Sequence, residues 1–205
     1  MHSADNLAAA LKAIAPVPIN GTFHRAVANA ALYQGRRKPK YLYSLGPGRS
    51  GARYTPIGGP PCLYVSEEPV TTLSEAGGIA SSLVRAGIAI AQPTTAFSME
   101  VNLHRGALDL TNATVIEQLG TSLGELDGPW EQQTLTGVPI PTQDLALEAY
   151  ATKRFQGILF FSHEDPGKKN LVIWTATIKS PSAVTIIDSS NTTTERIPRV
   201  RRKRN

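Results

Sequence analysis

Apolar positions near the start of the chain recur at helical spacing: Leu7, Ala8, Leu11 and Ile14 fall on one side of a helix. Residues 4–14 are therefore expected to form a small amphipathic helix packed on the domain. Thr22–Ala28 reads as a strand with mixed faces, and Cys62–Ser66 as a short buried strand ending at an acidic turn. Pro69 suits a first helical position, and Leu73, Ala76, Ala80 and Leu83 give the helix it opens an apolar stripe. Thr94–Leu103 alternates as a longer strand, while Thr111–Leu119 and Thr142–Thr152 read as helices, the second carrying Leu145, Leu147 and Ala149. Gly157–Ser162, Asn170–Ile178 and Ala183–Asp188 read as three more strands, with Gly167 marking a tight reversal between the first two. The sum is a mixed α+β domain with largely antiparallel sheets and flanking helices.

The stretch from Gly35 to Pro61 interrupts this alternation with glycine, proline and basic residues, which exclude a regular helix or a central strand. Tyr33, Tyr41, Tyr43 and Tyr54 lie within or beside it. Linkers rarely carry so many aromatics, so a structured, ligand-facing loop is expected. No repeat or linker divides the 205 residues. One domain is expected over residues 1–194, with its core at about 23–188, followed by a basic tail at 195–205.

Composition narrows the classes. Hydrophobic residues at 41% and charged residues at 18% suit a globular core. No apolar run is long enough to span a bilayer, and the N-terminal stretch, with Asp5 near its start, is a poor secretion signal. Cys62, the single cysteine, excludes an internal disulfide and a cysteine-based zinc site, and a cytoplasmic location is expected. His24, His104 and the other two histidines have no metal-ligand spacing, so no metal is expected. The net charge of +5 describes the end of the chain. Arg196, Arg199, Arg201, Arg202, Lys203 and Arg204 carry six positive charges and leave the body nearly neutral. Such a tail reads either as a solvated, frayed terminus or as a contact for nucleic acid or an acidic partner.

Four short stretches place polar groups at strand ends or helix starts, where side chains can converge while the scaffold stays rigid. They are FHRAV with Arg25, GARYT with Arg53 and Tyr54, LYVSEEPVTTLSEA with Tyr64 and Glu75, and GILFFS with Ser162. Each also has a plain structural reading: Arg25 at a sheet edge, Glu75 on a solvated helix face, Ser162 opening a turn, and the two tyrosines as core aromatics.

Taken in order, these stretches resemble the RES family, which is named for an arginine, a glutamate and a serine spread along its domain. The resemblance runs from about Phe23 to Asp188 and makes Arg25, Glu75 and Ser162 the equivalents of those three residues. The family's glycine–arginine–aromatic loop matches Gly51–Ala52–Arg53–Tyr54 followed by Pro56–Ile57–Gly58–Gly59. Ala52 and Thr55 depart from its usual glycine and asparagine. Its leucine–aspartate–leucine segment matches ALDLT with Asp109, and the strand NLVIW also fits. The resemblance implies a fold similar to ADP-ribosyltransferases and the activity of a bacterial toxin that consumes NAD⁺ as its substrate, by hydrolysis or phosphorolysis. It also implies a cognate antitoxin protein, often with a DNA-binding part.

These residue types suit such chemistry. Cleaving the nicotinamide–ribose bond leaves positive charge on the ribose, which a carboxylate, here Glu75, would stabilise. Arg25 and Arg53 are the candidates for gripping the diphosphate. Tyr64, with Tyr54 behind it, would hold the cationic ring by stacking worth about 0.5–2 kcal/mol. Ser162 would offer its hydroxyl to a ribose or phosphate oxygen rather than act as a nucleophile. His163, its neighbour, would point to the opposite face of the strand. Two further readings stand beside NAD⁺ cleavage: transfer of ADP-ribose to a protein or nucleic acid, and a non-catalytic module whose basic tail grips nucleic acid.

Overall fold

A computed structural model describes residues 1–33, 39–77, 81–87, 92–187 and 193–198. Helix α1 (Ala4–Ala13) leads into strand β1 (Val17–Ala28), followed by the short helices α2 (Asn29–Tyr33) and α3 (Gly46–Ser50). Strand β2 (Cys62–Ser66), helices α4 (Pro69–Gly77) and α5 (Ser81–Arg85), and the long strand β3 (Thr94–Asp109) come next. Four helices follow: α6 (Ala113–Gln118), α7 (Leu123–Leu126), α8 (Trp130–Thr136) and α9 (Pro141–Ala151). The chain then returns to the sheet as β4 (Gly157–Phe161), β5 (Lys169–Trp174), β6 (Ala183–Ile187) and β7 (Thr193–Ile197). The mixed α+β class with a largely antiparallel sheet is as expected; among the described strands only β3 and β4 pair in parallel.

The strand order is β1-β2-β5-β4-β3-β6-β7, and β1 also pairs with β3, so the first five strands in that order close on themselves. Period-two alternation divides their side chains between two cores. Ile19, Phe23, Leu63, Val65, Leu103, Leu159, Leu171 and Ile173 form one cluster. The alternate positions Cys62, Ile158, Phe160, Val172 and Trp174 face the other way, onto Leu7 and Leu11 of α1 and Leu145 and Ala149 of α9. Trp174 is fully buried, with the Tyr150 ring edge-on at 5.4 Å. Burying each such side chain contributes about 1.5–3 kcal/mol, so this face anchors the helices to the sheet. Gly157 makes the β4–β5 contact possible: a Cβ there would lie 2.0 Å from the Val172 carbonyl oxygen.

Several expectations shift. The helix opened by Pro69 packs through polar residues, not through an apolar stripe: Thr71, Thr72 and Ser74 are its buried positions, while Leu83 is 49% exposed. Thr72 Oγ1 accepts the Ala26 N–H at 3.1 Å, which ties α4 to β1 by a hydrogen bond that a hydrophobicity pattern cannot register. Ala80 lies outside the described residues. Leu147 is likewise exposed, whereas Leu145 and Ala149 are buried. Strand β3 runs on to Asp109, and β5 gives way to a 3₁₀ turn, Thr175–Thr177, before Ile178. Residues 193–197, split between domain and tail on sequence grounds, pair with β6 as β7. Glu195 fixes that strand to the tyrosine-rich loop, since its carboxylate accepts the Tyr41 N–H at 3.1 Å and the Leu42 N–H at 2.8 Å. Gly35, Asp188 and the basic residues Arg199–Arg204 lie outside the described residues. Among the described residues no helix is long and apolar enough to cross a membrane.

Candidate active site

A cleft of about 700 Å³ opens beside α4, where the ends of β2, β4 and β5 meet the segment that joins α7 to α8. That volume is in the range of small-molecule sites. Glu75, Tyr64 and Arg53 all line it.

Glu75 is exposed, yet its carboxylate is fixed from below. Oε1 accepts hydrogen bonds from Ser162 Oγ at 2.5 Å and from Asn170 Nδ2 at 2.7 Å. Both donors are buried, at 5% and 4% exposure. Each is itself oriented. The Asp165 N–H donates to Ser162 Oγ at 3.0 Å, so the serine proton turns toward Glu75. Ser66 Oγ donates to Asn170 Oδ1 at 2.7 Å, which sets the amide with its nitrogen toward Glu75. Asp165 in turn accepts from Thr71 Oγ1 at 2.6 Å and from both terminal nitrogens of Arg85 at 3.2 and 3.0 Å. Oε2 of Glu75 takes no part in these bonds. A carboxylate held on one oxygen and exposed on the cleft wall suits the stabilisation of a cation.

Tyr64 presents its ring to the cleft, while its hydroxyl faces inward. The hydroxyl accepts the Tyr54 N–H and lies 3.0 Å from Thr55 Oγ1. Burial pushes this hydroxyl well above its ordinary range, so it stays protonated. Arg53 reaches the cleft from the GARYT loop. Its Nη1 donates to the Leu126 and Gly128 carbonyls, both at 3.1 Å, and lies 3.6 Å from Asp127. The loop is held by the first turn of α9: Thr142 Oγ1 donates to the Arg53 carbonyl at 2.6 Å and Gln143 Nε2 to the Ala52 carbonyl at 2.9 Å.

Three residues of the matched motifs lie elsewhere. Tyr54 is 1% exposed, with its ring 4.5 Å from that of Phe160, so it is a core residue and not a stacking surface. Asp109 accepts the Thr111 N–H and hydroxyl at 2.8 and 2.6 Å, closing the turn after β3. Arg25 does not line the cleft. Ala26 does, and adjacent strand residues point to opposite faces. The Arg25 guanidinium instead donates to the Tyr41 carbonyl at 2.8 Å and the Tyr43 carbonyl at 3.1 Å. Burial lowers its pKa to about 10, opposed by Cys62 and Glu195. Of the arginine, glutamate and serine expected in one pocket, the glutamate and serine meet directly while the arginine holds a loop.

Three cleft residues, Asn170, Trp130 and Asp127, have no role in the sequence reading, and a fourth, His163, is expected from it to face away. Asn170 opens the NLVIW strand and carried a signal of its own, a polar residue at the entry to an apolar run. Trp130 follows a Gly128–Pro129 break, and the two short helices around it have no apolar periodicity to betray them. Asp127 and His163 form an exposed pair, with His163 Nδ1 at 2.9 and 3.0 Å from the two carboxylate oxygens. The strand argument did not reach His163, because β4 ends at Phe161 and alternation stops there. Among the described residues lining the cleft, Glu75, Asp127, Glu131 and Glu164 stand beside one guanidinium, that of Arg53. Among the described residues no group of three or more His, Cys, Asp or Glu is placed to hold a metal ion.

Comparison with known proteins bears on the fold and the family. A chain of the M. tuberculosis MbcT–MbcA toxin–antitoxin complex has a similar fold, with a TM-score of 0.61 and 15% identity over 86% of each chain. No curated protein matches the sequence. The family model of the RES domain matches residues 22–198, and the chain belongs to that family.

Proposed function

We propose that this protein is the NAD⁺-consuming toxin of a toxin–antitoxin pair and cleaves the nicotinamide–ribose bond in the cleft at Glu75. The observation that carries the reading is the Glu75 carboxylate, held on Oε1 by Ser162 and Asn170 with Oε2 left out of that network. As the bond to nicotinamide breaks, its electron pair leaves with the ring nitrogen and positive charge develops on the ribose. Oε2 sits as the preorganised anion for that charge, a contribution worth roughly 100- to 1000-fold in rate. The Tyr64 ring offers a face to the cationic nicotinamide. Arg53 offers the diphosphate the two nitrogens that take no part in its carbonyl bonds. Ser162 acts through Glu75 and is not a nucleophile. Arg25 serves the site indirectly by fixing the loop at Tyr41 and Tyr43.

Free activity of this kind would harm the host cell, so an antitoxin that covers the cleft is part of the proposal. The toxin–antitoxin complex with the similar fold supports it. A soluble, cytoplasmic protein is the corresponding setting. Incubating the purified protein with NAD⁺ and measuring free nicotinamide by chromatography tests the reading. Steady, protein-dependent release is expected, and intact NAD⁺ after prolonged incubation would contradict it.

A further inference from the structure

The chemistry of the cleft also bears on what accepts the ribose once nicotinamide leaves, an inference that rests on the reading above. Two observations point the same way. First, the charges lining the cleft are unbalanced, with Glu75, Asp127, Glu131 and Glu164 against Arg53. Under the proposed reading Arg53 is taken by the diphosphate of NAD⁺. An incoming phosphate dianion would then meet four carboxylates and, among the described residues lining the cleft, no second guanidinium or ammonium. A neutral acceptor meets no such barrier.

Second, the cleft holds a base. Asp127 receives His163 Nδ1 at 2.9 and 3.0 Å. An ionised carboxylate only accepts, so Nδ1 carries the hydrogen, and in the neutral ring the lone pair is then on Nε2. Asp127 is itself kept in place from both sides, because Arg53 bonds the carbonyls of Leu126 and Gly128, which flank it. His163 follows directly on Ser162, the residue bonded to Glu75, and His163 and Glu75 both line the cleft.

We infer that the acceptor is water, activated by the Asp127–His163 pair, and that the protein is an NAD⁺ hydrolase and not a phosphorylase. In the balanced step, the bond from the ribose anomeric carbon to the nicotinamide nitrogen breaks and its electron pair stays on that nitrogen. The water oxygen bonds the anomeric carbon, and one water proton passes to His163 Nε2. The imidazolium that forms lies against Asp127 and returns its proton to solvent. No redox change is involved.

The test compares nicotinamide release by wild type, His163→Gln and Asp127→Asn, with and without inorganic phosphate, with products identified by mass. The expected product is free ADP-ribose at a rate unaffected by phosphate. His163→Gln should lose roughly 100-fold in kcat with little change in KM. Both variants alter exposed side chains, so a far-ultraviolet spectrum like that of wild type is expected. An active wild type that makes a phosphorylated ribose product, that needs a macromolecular acceptor, or that is unaffected by His163→Gln would overturn this inference and leave the cleavage reading intact. A wild type that releases no nicotinamide under any of these conditions would overturn both.

Discussion

Ser162 Oγ donates a 2.5 Å hydrogen bond to Glu75 Oε1 across 87 residues of chain. Neither residue could hold the other alone, because Glu75 is exposed on a nine-residue helix and Ser162 stands just past the end of a strand. The bond is made rigid by what stands behind it. The Asp165 N–H fixes the serine, and Asp165 is fixed by Thr71 and Arg85. Preorganisation of this kind lets a side chain on a surface cleft act as a fixed charge.

Asn170 is the second donor to Glu75, and its replacement separates positioning from stability. Asn170→Ala removes the 2.7 Å bond and leaves Ser66 Oγ without its buried acceptor. A loss of about 1–3 kcal/mol in stability is expected, visible as a lower melting temperature. NAD⁺ turnover should fall by about tenfold at temperatures where the variant remains folded, through kcat more than KM. Turnover equal to wild type would remove Asn170 from the account.

Arg25 is expected to matter for the loop more than for chemistry. Arg25→Ala leaves the Tyr41 and Tyr43 carbonyls without their guanidinium. The cost should be about 1–3 kcal/mol, a fall of roughly 5 °C in melting temperature for a chain of this size. A large rise in KM for NAD⁺ with unchanged stability would return Arg25 to the diphosphate.

Cys62 should be inert in the folded protein. Burial pushes its thiol up to about 11, opposed by the Thr55 hydrogen bond and by Arg25, and the side chain is fully buried. A thiol-specific chromogenic reagent at pH 8 should label it only as fast as the protein unfolds. Immediate labelling of native protein would contradict the packing of β2.

His24 gives a signed pH dependence. Burial lowers its pKa below 6.5, with Glu68 opposing in part, so the folded state favours the neutral ring. The unfolded chain therefore takes up the proton first as pH falls. The contribution of His24 is full above pH 6.5 and is lost on acidification below it. Denaturant unfolding of His24→Gln should show a shallower decline than wild type over that window, and a parallel decline would show that His24 is not the group responsible.

The sequence made the strands legible because alternation and apolar runs are their direct physical signature. Cys62–Ser66 and Gly157–Phe161 fall where the pattern places them. It left α4 half-read, because that helix packs through Thr71, Thr72 and Ser74, residues that count as surface on any hydrophobic scale. Glu75 and Ser162 were recognisable only as members of an ordered set of motifs. Their contact is long-range, and no spacing encodes it. Arg25 shows a related limit: a strand arginine can face a ligand or a neighbouring loop, and only the fold shows that it meets Tyr41 and Tyr43. The Asp127–His163 pair joins a loop to a strand end and left no trace in either local pattern.

The most direct measurement is nicotinamide release from NAD⁺ by wild type and Glu75→Gln at equal protein concentration. Glutamine keeps the size of the side chain and can still accept from Ser162 and Asn170, but it removes the charge. Wild type should release nicotinamide, and the variant should be slower by about 100-fold or more with an unchanged melting profile. Equal rates for the two proteins would contradict the claim that the Glu75 carboxylate stabilises the breaking bond.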